Sequence, residues 1–539
     1  MSGRPVCATG VTSVEREDGR EIPLDRVIGT PLHREPDRTA RGNPGDSDQA
    51  APESRSAAIG AGSFFRDAGV LAAAYVLSQA IWLGSAPILT RLYSPDDFGL
   101  WALFTTVVSI LTTIATLRYE FAIVLPRGER ETSNVIVLCF VVSLLSTSLV
   151  VFVVSRFGHS IAALFAVDRA LGLVSLAFVP TLVWLTGVQQ IGRFAAVRDR
   201  RFRSVAVFLV LQAGLTAAMQ IGSGLAMPSD ARHLLTASVL ANVIALGVLA
   251  VAVGPDLRRK LRQYVSVKQV AASALRYRNF PLYSAPYGLL GMATTRALFL
   301  LIALYASADT VGLFALAMRA AYFPSSLIGG ALSHPFYQRA SADRRDGSVE
   351  GLVRRLLVHE VMLITPAGVL FILNSEALFS FAFGAGWRVA GTYASLLGVP
   401  ALLLLLTSWL DRLYDILERQ RLALMLELTY DVIVISCVVG CFWFGLGPYW
   451  AIGAFSLITT LYNAIWLGLT LRIAGFSMSI YLDVILRAGA LALLTLAVHV
   501  VLLRNLEPLG YALAGSAFVL LVSGGPLVTL AVALRPRGR

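Results

Sequence analysis

Arg296 and Arg319 are the residues of this chain best suited to recognition chemistry. Each lies deep inside an apolar run, Arg296 just after Thr294-Thr295 and Arg319 within Ala317-Met-Arg-Ala-Ala-Tyr322. A charge at the centre of a bilayer costs roughly 2.5–3.5 kcal/mol on insertion scales, so an arginine there needs a reason. The guanidinium is a fixed cation with a forked set of donors that matches phosphate or carboxylate. The two runs are consecutive in the chain, so both side chains can enter one water-filled cavity and bind an anionic headgroup. The competing structural roles are an internal ion pair and an arginine that reaches back to the interface. Carboxylates inside the runs are few, which favours an external anion.

Arg118-Tyr119-Glu120 ends the second apolar run. Arg118 and Glu120 are two apart and do not face each other on a helix, so they bond to different neighbours. Arg118 is a third candidate for the anionic headgroup, with an interfacial clamp as its other role. Gln79 and Gln189 are candidate polar cavity residues, against the alternative of hydrogen bonds between helices. No G-x-x-x-x-G-K-[ST] stretch is present, and the lysines are only Lys260 and Lys268. Nor is there a Ser/His/Asp set, an H-E-x-x-H or a paired-carboxylate site on an exposed loop. Cys7, Cys139, Cys437 and Cys441 show no metal-ligand spacing. The expectation is therefore no catalytic residues, no metal and no cofactor.

The elements that must position these residues are membrane helices. Of 539 residues, 56% are hydrophobic and 14% charged, and mean hydropathy is +0.70. A soluble protein has roughly a quarter of its residues charged. Fourteen apolar runs of about 20 residues, the length that spans a bilayer, extend from 68–90 to 509–534. They predict an all-α polytopic membrane protein of about fourteen transmembrane helices. Residues 1–62 are polar and read as a disordered tail. Residues 63–254 form a first lobe of six helices, 255–281 a basic linker and 282–472 a second lobe of six. Residues 473–539 add two helices and a short basic tail.

The net charge of +12 is explained by topology. With the N-terminus inside, one set of loops carries twenty-seven arginines and lysines and the other set carries six. That asymmetry follows the positive-inside rule and places both termini in the cytoplasm. It is not a nucleic-acid footprint.

A repeat supports the division into lobes. Ser94-Pro-Asp-Asp-Phe-Gly-Leu-Trp-Ala-Leu103 returns as Ser307-Ala-Asp-Thr-Val-Gly-Leu-Phe-Ala-Leu316. Six crossings separate the copies, so both lie on the outer face and the lobes are parallel repeats about an axis along the membrane normal. Asp96 and Asp309 are expected to cap helices there, and Gly99 and Gly312 to let helices approach.

Several stretches resemble a known family. Leu89-Thr-Arg-Leu-Tyr-Ser-Pro-Asp-Asp-Phe-Gly-Leu-Trp-Ala-Leu103 and Leu117-Arg-Tyr-Glu-Phe-Ala-Ile-Val-Leu-Pro126 carry the likeness in the first half. Arg278-Asn-Phe-Pro-Leu-Tyr-Ser284, Val311-Gly-Leu-Phe-Ala-Leu-Ala-Met-Arg319 and Phe383-Gly-Ala-Gly-Trp-Arg388 carry it in the second. Together they resemble the bacterial O-antigen and exopolysaccharide flippases of the multidrug/oligosaccharidyl-lipid/polysaccharide exporter superfamily. The resemblance implies two lobes around a central cavity that opens alternately to each side of the inner membrane. It implies as cargo an undecaprenyl-diphosphate-linked oligosaccharide, with membrane lipids and the polysaccharide polymerase and export machinery as partners. Arg296 and Arg319 fit the cations that such proteins present to a diphosphate. A drug/cation antiporter of the same superfamily would need acidic cavity residues. A membrane glycosyltransferase or polymerase would need a catalytic acid on a substantial outer loop.

Overall fold

Helices follow the apolar runs. The computed structural model describes residues 13–15, 21–23, 51–164, 169–342, 349–411, 413–414, 417, 419–503, 506 and 514–522. The first half comprises α1 (Ala51–Leu92), α2 (Pro95–Ala115), α3 (Glu129–Leu164), α4 (Arg169–Arg198), α5 (Phe202–Ala226) and α6 (Ala231–Tyr264). A short helix α7 (Val267–Arg276) and a π-helical turn (Phe280–Ser284) lead into α8 (Ala285–Tyr305). The second half continues with α9 (Ala308–Ala342), α10 (Val349–Phe383), α11 (Arg388–Thr407), α12 (Gln420–Trp443) and α13 (Pro448–Ile473). Then come α14 (Met478–Val498) and a helical stretch at 514–522.

Among the described residues eleven helices are long and apolar enough to cross a membrane, fewer than the fourteen predicted. The predicted runs 170–191 and 309–332 do form α4 and α9, of 30 and 35 residues. The count of eleven covers the described residues alone, and the side chains of residues 169–177 on α4 and most of 326–342 on α9 are not among them. Of the run 509–534, all but 514–522 lies outside the described residues. Met1–Phe64 is a separate unit holding an antiparallel strand pair, Ser13–Glu15 with Glu21–Pro23. The disorder expected of residues 1–62 otherwise falls outside the described residues, up to the start of α1 at Ala51. Much of the predicted linker is helical, because α6 runs on through Pro255 to Tyr264 and α7 follows.

Burial divides the second unit, Phe65–Arg539, along its helices. At the end carrying the repeated motif the lobes share one core: Leu89, Tyr93, Phe98 and Leu234 pack with Leu298, Val311, Phe314, Phe379 and Trp387. The Trp387 indole N–H donates to the Thr90 carbonyl oxygen at 2.9 Å across the lobes. Toward the arginine-rich face each lobe has its own core. One is built on Tyr119, Ile123, Ile191, Phe208 and Leu249, the other on Phe336, Leu356, Trp409, Leu471 and Ile480.

At the repeated motif the two lobes meet backbone to backbone. A Cβ on Gly99 of α2 would overlap the carbonyl oxygen of Ala308, and one on Gly312 of α9 would overlap that of Pro95. Only glycine lets two helix backbones approach this closely. The capping role expected of the motif aspartates belongs instead to its serines. Ser94 Oγ accepts from the Asp97 backbone N–H at 3.2 Å while Asp97 Oδ2 accepts from the Ser94 N–H at 3.1 Å. In the second copy Ser307 Oγ accepts from the Thr310 N–H at 3.3 Å. A serine at the N-cap reaches the amide three residues on, which an acid inside the first turn does not.

Overpacking a close contact costs about 1–3 kcal/mol, enough to shift a two-state equilibrium roughly fivefold or more. Gly99→Leu is therefore expected to part the lobes at this end. In a cysteine-free background carrying Thr90→Cys, the new thiol should react with a membrane-impermeant maleimide at least several times faster in Gly99→Leu than with Gly99 intact.

A cationic cavity between the lobes

Arg296 and Arg319 line one cavity of about 290 Å³. Its wall from the first lobe is Trp82 and Ala86 of α1 with Phe98, Trp101, Thr105 and Thr106 of α2. The second lobe supplies Thr295, Arg296 and Phe299 of α8 and Ala315, Met318 and Arg319 of α9. The Arg319 guanidinium lies 4.1 Å above the Trp82 ring, and Trp82 is 5.4 Å from Trp101, centroid to centroid. Indole is the strongest cation–π partner among side chains, and stacking holds the guanidinium without using its N–H donors.

Local sequence explains the direction of Arg296. Thr294, two residues earlier, donates its hydroxyl to Asp431 Oδ1 of α12 and fastens α8 into the second lobe. Side chains two apart point to nearly opposite sides of a helix, so Arg296 is turned away from that acid and toward the cavity. Arg296 Nε has no partner. Among the described residues neither arginine is within ion-pair range of a carboxylate, so the pair presents two unneutralised cations.

Arg118 occupies a second cavity of about 480 Å³, lined also by Phe121, Ser284, Tyr287, Gly288, Gly291 and Met292. Leu117 and Arg118 adopt left-handed backbone conformations, φ 48° and 64°. This breaks α2 and turns the Arg118 side chain across α8, where its guanidinium fills the space a Cβ on Gly288 would take. It lies 5.1 Å from the Phe121 ring. Glu120 points elsewhere: it is 3% exposed and accepts the Thr116 hydroxyl. Burial raises its carboxyl above the ordinary range, while that hydrogen bond and the charges of Arg118 and Arg193 pull it down. The two cavities follow one another along α8. Gly288 and Arg296 are eight residues apart, about 12 Å at 1.5 Å per residue.

The glutamines lie outside both cavities. Gln189 is 3% exposed and donates to the carbonyl oxygen and to Oδ1 of Asn242 at 3.0 Å each. Gln212 also donates to that Oδ1, at 2.7 Å, so the amides tie α4, α5 and α6 together. Gln79 donates to the Tyr75 hydroxyl of its own helix at 3.2 Å. Sequence reasoning passed over three acids inside apolar runs: Glu360 on α10, and Glu427 and Asp431 on α12. The i, i+4 spacing of the latter two, which places them on one face, was a usable signal.

These environments have opposite consequences for stability. Removing a buried amide and leaving its partners unsatisfied costs about 1–3 kcal/mol. Gln189→Leu should therefore melt below the wild type in detergent. Arg319→Met should melt no lower than the wild type, because the arginine has no counter-charge to lose.

Residues 88–391 match the model of the family described as "Polysaccharide biosynthesis protein". No significant match is found among curated proteins. The fold is similar to that of the lipid II flippase MurJ in an inward closed conformation. The TM-score is 0.64 at 13% identity, over 86% of this chain and 99% of that one. It is also similar to an inward-facing multidrug resistance MATE family transporter of the MOP superfamily. There the TM-score is 0.59 at 14% identity, over 77% and 95% of the two chains. The chain is a multi-pass membrane protein that belongs to the polysaccharide biosynthesis protein family.

Proposed function

We propose that this protein moves an undecaprenyl-diphosphate-linked oligosaccharide from the cytoplasmic to the outer leaflet of a bacterial inner membrane, by alternating access and without covalent chemistry. The observation that carries the reading is the pair of unneutralised guanidiniums, Arg296 and Arg319, facing one cavity between the lobes. Two forked cations suit a diphosphate, whose oxygens accept paired N–H donors. A volume of about 290 Å³ is at the lower end for small-ligand sites. It suits the charged head, with the prenyl chain remaining in the bilayer. Arg118, about 12 Å back along α8, is the first cation the head meets from the arginine-rich face, which we take as cytoplasmic from the loop charges.

Among the described residues the lobes share a core at one end only, as expected of a state open toward the arginine-rich face. The exporter of cationic drugs is the second reading, and it would use acids in the cavity. Asp431 is bonded to Thr294 and does not line the cavity, which favours the anionic cargo.

Depletion of the protein is expected to leave complete lipid-linked units on the inner leaflet. Normal translocation with missing polymer would refute the reading. Arg296→Ala combined with Arg319→Ala is expected to abolish export with membrane abundance unchanged. Wild-type export by this variant would remove the cationic cavity from the mechanism.

A further inference from the structure

Glu360 of α10 is 3% exposed within the second lobe's own core. Its Oε2 accepts the indole N–H of Trp409, in the turn after α11, at 3.0 Å. Its Oε1 has no hydrogen-bond partner. Trp409 is fully buried, and Phe336 of α9 covers it edge-on, with ring centroids 4.7 Å apart. Indole donates only, so the contact neither supplies a positive charge nor accepts a proton.

No charged or titratable group among the described residues of the packed elements faces the carboxyl. On α10, His359 places Nδ1 2.5 Å from the Arg355 carbonyl oxygen, and Arg354 reaches Asp483 of α14 at the surface, 3.4 Å away. Asp411 receives the Trp466 indole N–H at 3.1 Å, and the Tyr414 hydroxyl is bonded to Thr470. On α9 the described side chain at this level is Phe336. A carboxylate with one hydrogen bond and no described cation in such a cluster is strongly disfavoured by desolvation. The neutral acid is the form this packing accommodates.

We infer that Glu360 is a proton-binding site of the second lobe, protonated while α9, α10 and α11 are packed as seen here and deprotonated when they separate. On release, the carboxyl O–H bond breaks and the proton passes to water admitted at the arginine-rich face, where this core is not shared with the first lobe. The carboxylate left behind is incompatible with the closed packing. Proton occupancy and helix packing therefore bias each other, as linkage requires. This inference does not depend on the identity of the cargo.

The test uses the full chain in nanodiscs of phosphatidylethanolamine and phosphatidylglycerol, with its native cysteines replaced. Spin labels are placed at Arg258→Cys and Arg421→Cys, both exposed, one on each lobe. The distance distribution between them is expected to shift between acid and alkaline pH. In Glu360→Gln, whose amide still accepts from Trp409 and holds no titratable proton, it should stay at the acid distribution throughout. A pH-independent distribution in the wild type, or a Glu360→Gln response matching it, overturns the inference. A second measurement does not rely on motion. The infrared difference between wild type and Glu360→Gln at neutral pH should show the loss of one protonated-carboxyl band, and no such loss would equally overturn it.

Discussion

The backbones of α2 and α9 touch at Gly99 and Gly312, and this contact sets the position of everything that follows along both helices. Seven residues is nearly two full turns, so Thr106 and Arg319 lie on the same faces as the glycines and line the cavity together. The motif that repeats in sequence is thus the place where the halves meet, and the cationic cavity lies further along the same two helices. Any larger residue at either glycine would separate the helices and widen the space that brings the Trp82 ring within 4.1 Å of the Arg319 guanidinium.

The two halves are alike in course and unlike in chemistry. Positions 213 apart are equivalent in the repeat, as Ser94 and Ser307 show; by that rule Thr106 answers to Arg319. The first lobe contributes aromatic rings and hydroxyls to the cavity, and the second contributes both cations. The unpaired acid Glu360 also belongs to the second lobe. The two cavity arginines and this acid thus lie on α8, α9 and α10.

Much of this was legible in the sequence, for physical reasons. A guanidinium inside an apolar run is costly enough to need a reason, and Arg296 and Arg319, singled out that way, line one cavity. Helix positions followed from run length, and the glycine contact from the repeat. What escaped was set by neighbours distant in the chain. Gln189 reads like a cavity residue until Asn242, 53 residues on, takes its amide. Arg118 leaves the helix because of its left-handed backbone, which the local sequence does not announce. Glu360 is a single acid whose meaning depends on Trp409 and on the lack of a cation beside it among the described residues.

The paired arginines are proposed to accept a diphosphate. The most direct measurement is equilibrium binding of farnesyl diphosphate and of farnesol to the purified protein in nanodiscs, alongside the Arg296→Ala, Arg319→Ala double variant. A charged hydrogen bond is worth about 1.5–3 kcal/mol, so the diphosphate should bind at least about tenfold more tightly than the alcohol. The double variant should lose that preference. Equal binding of the two ligands by the wild type, or an undiminished preference in the double variant, would contradict the account.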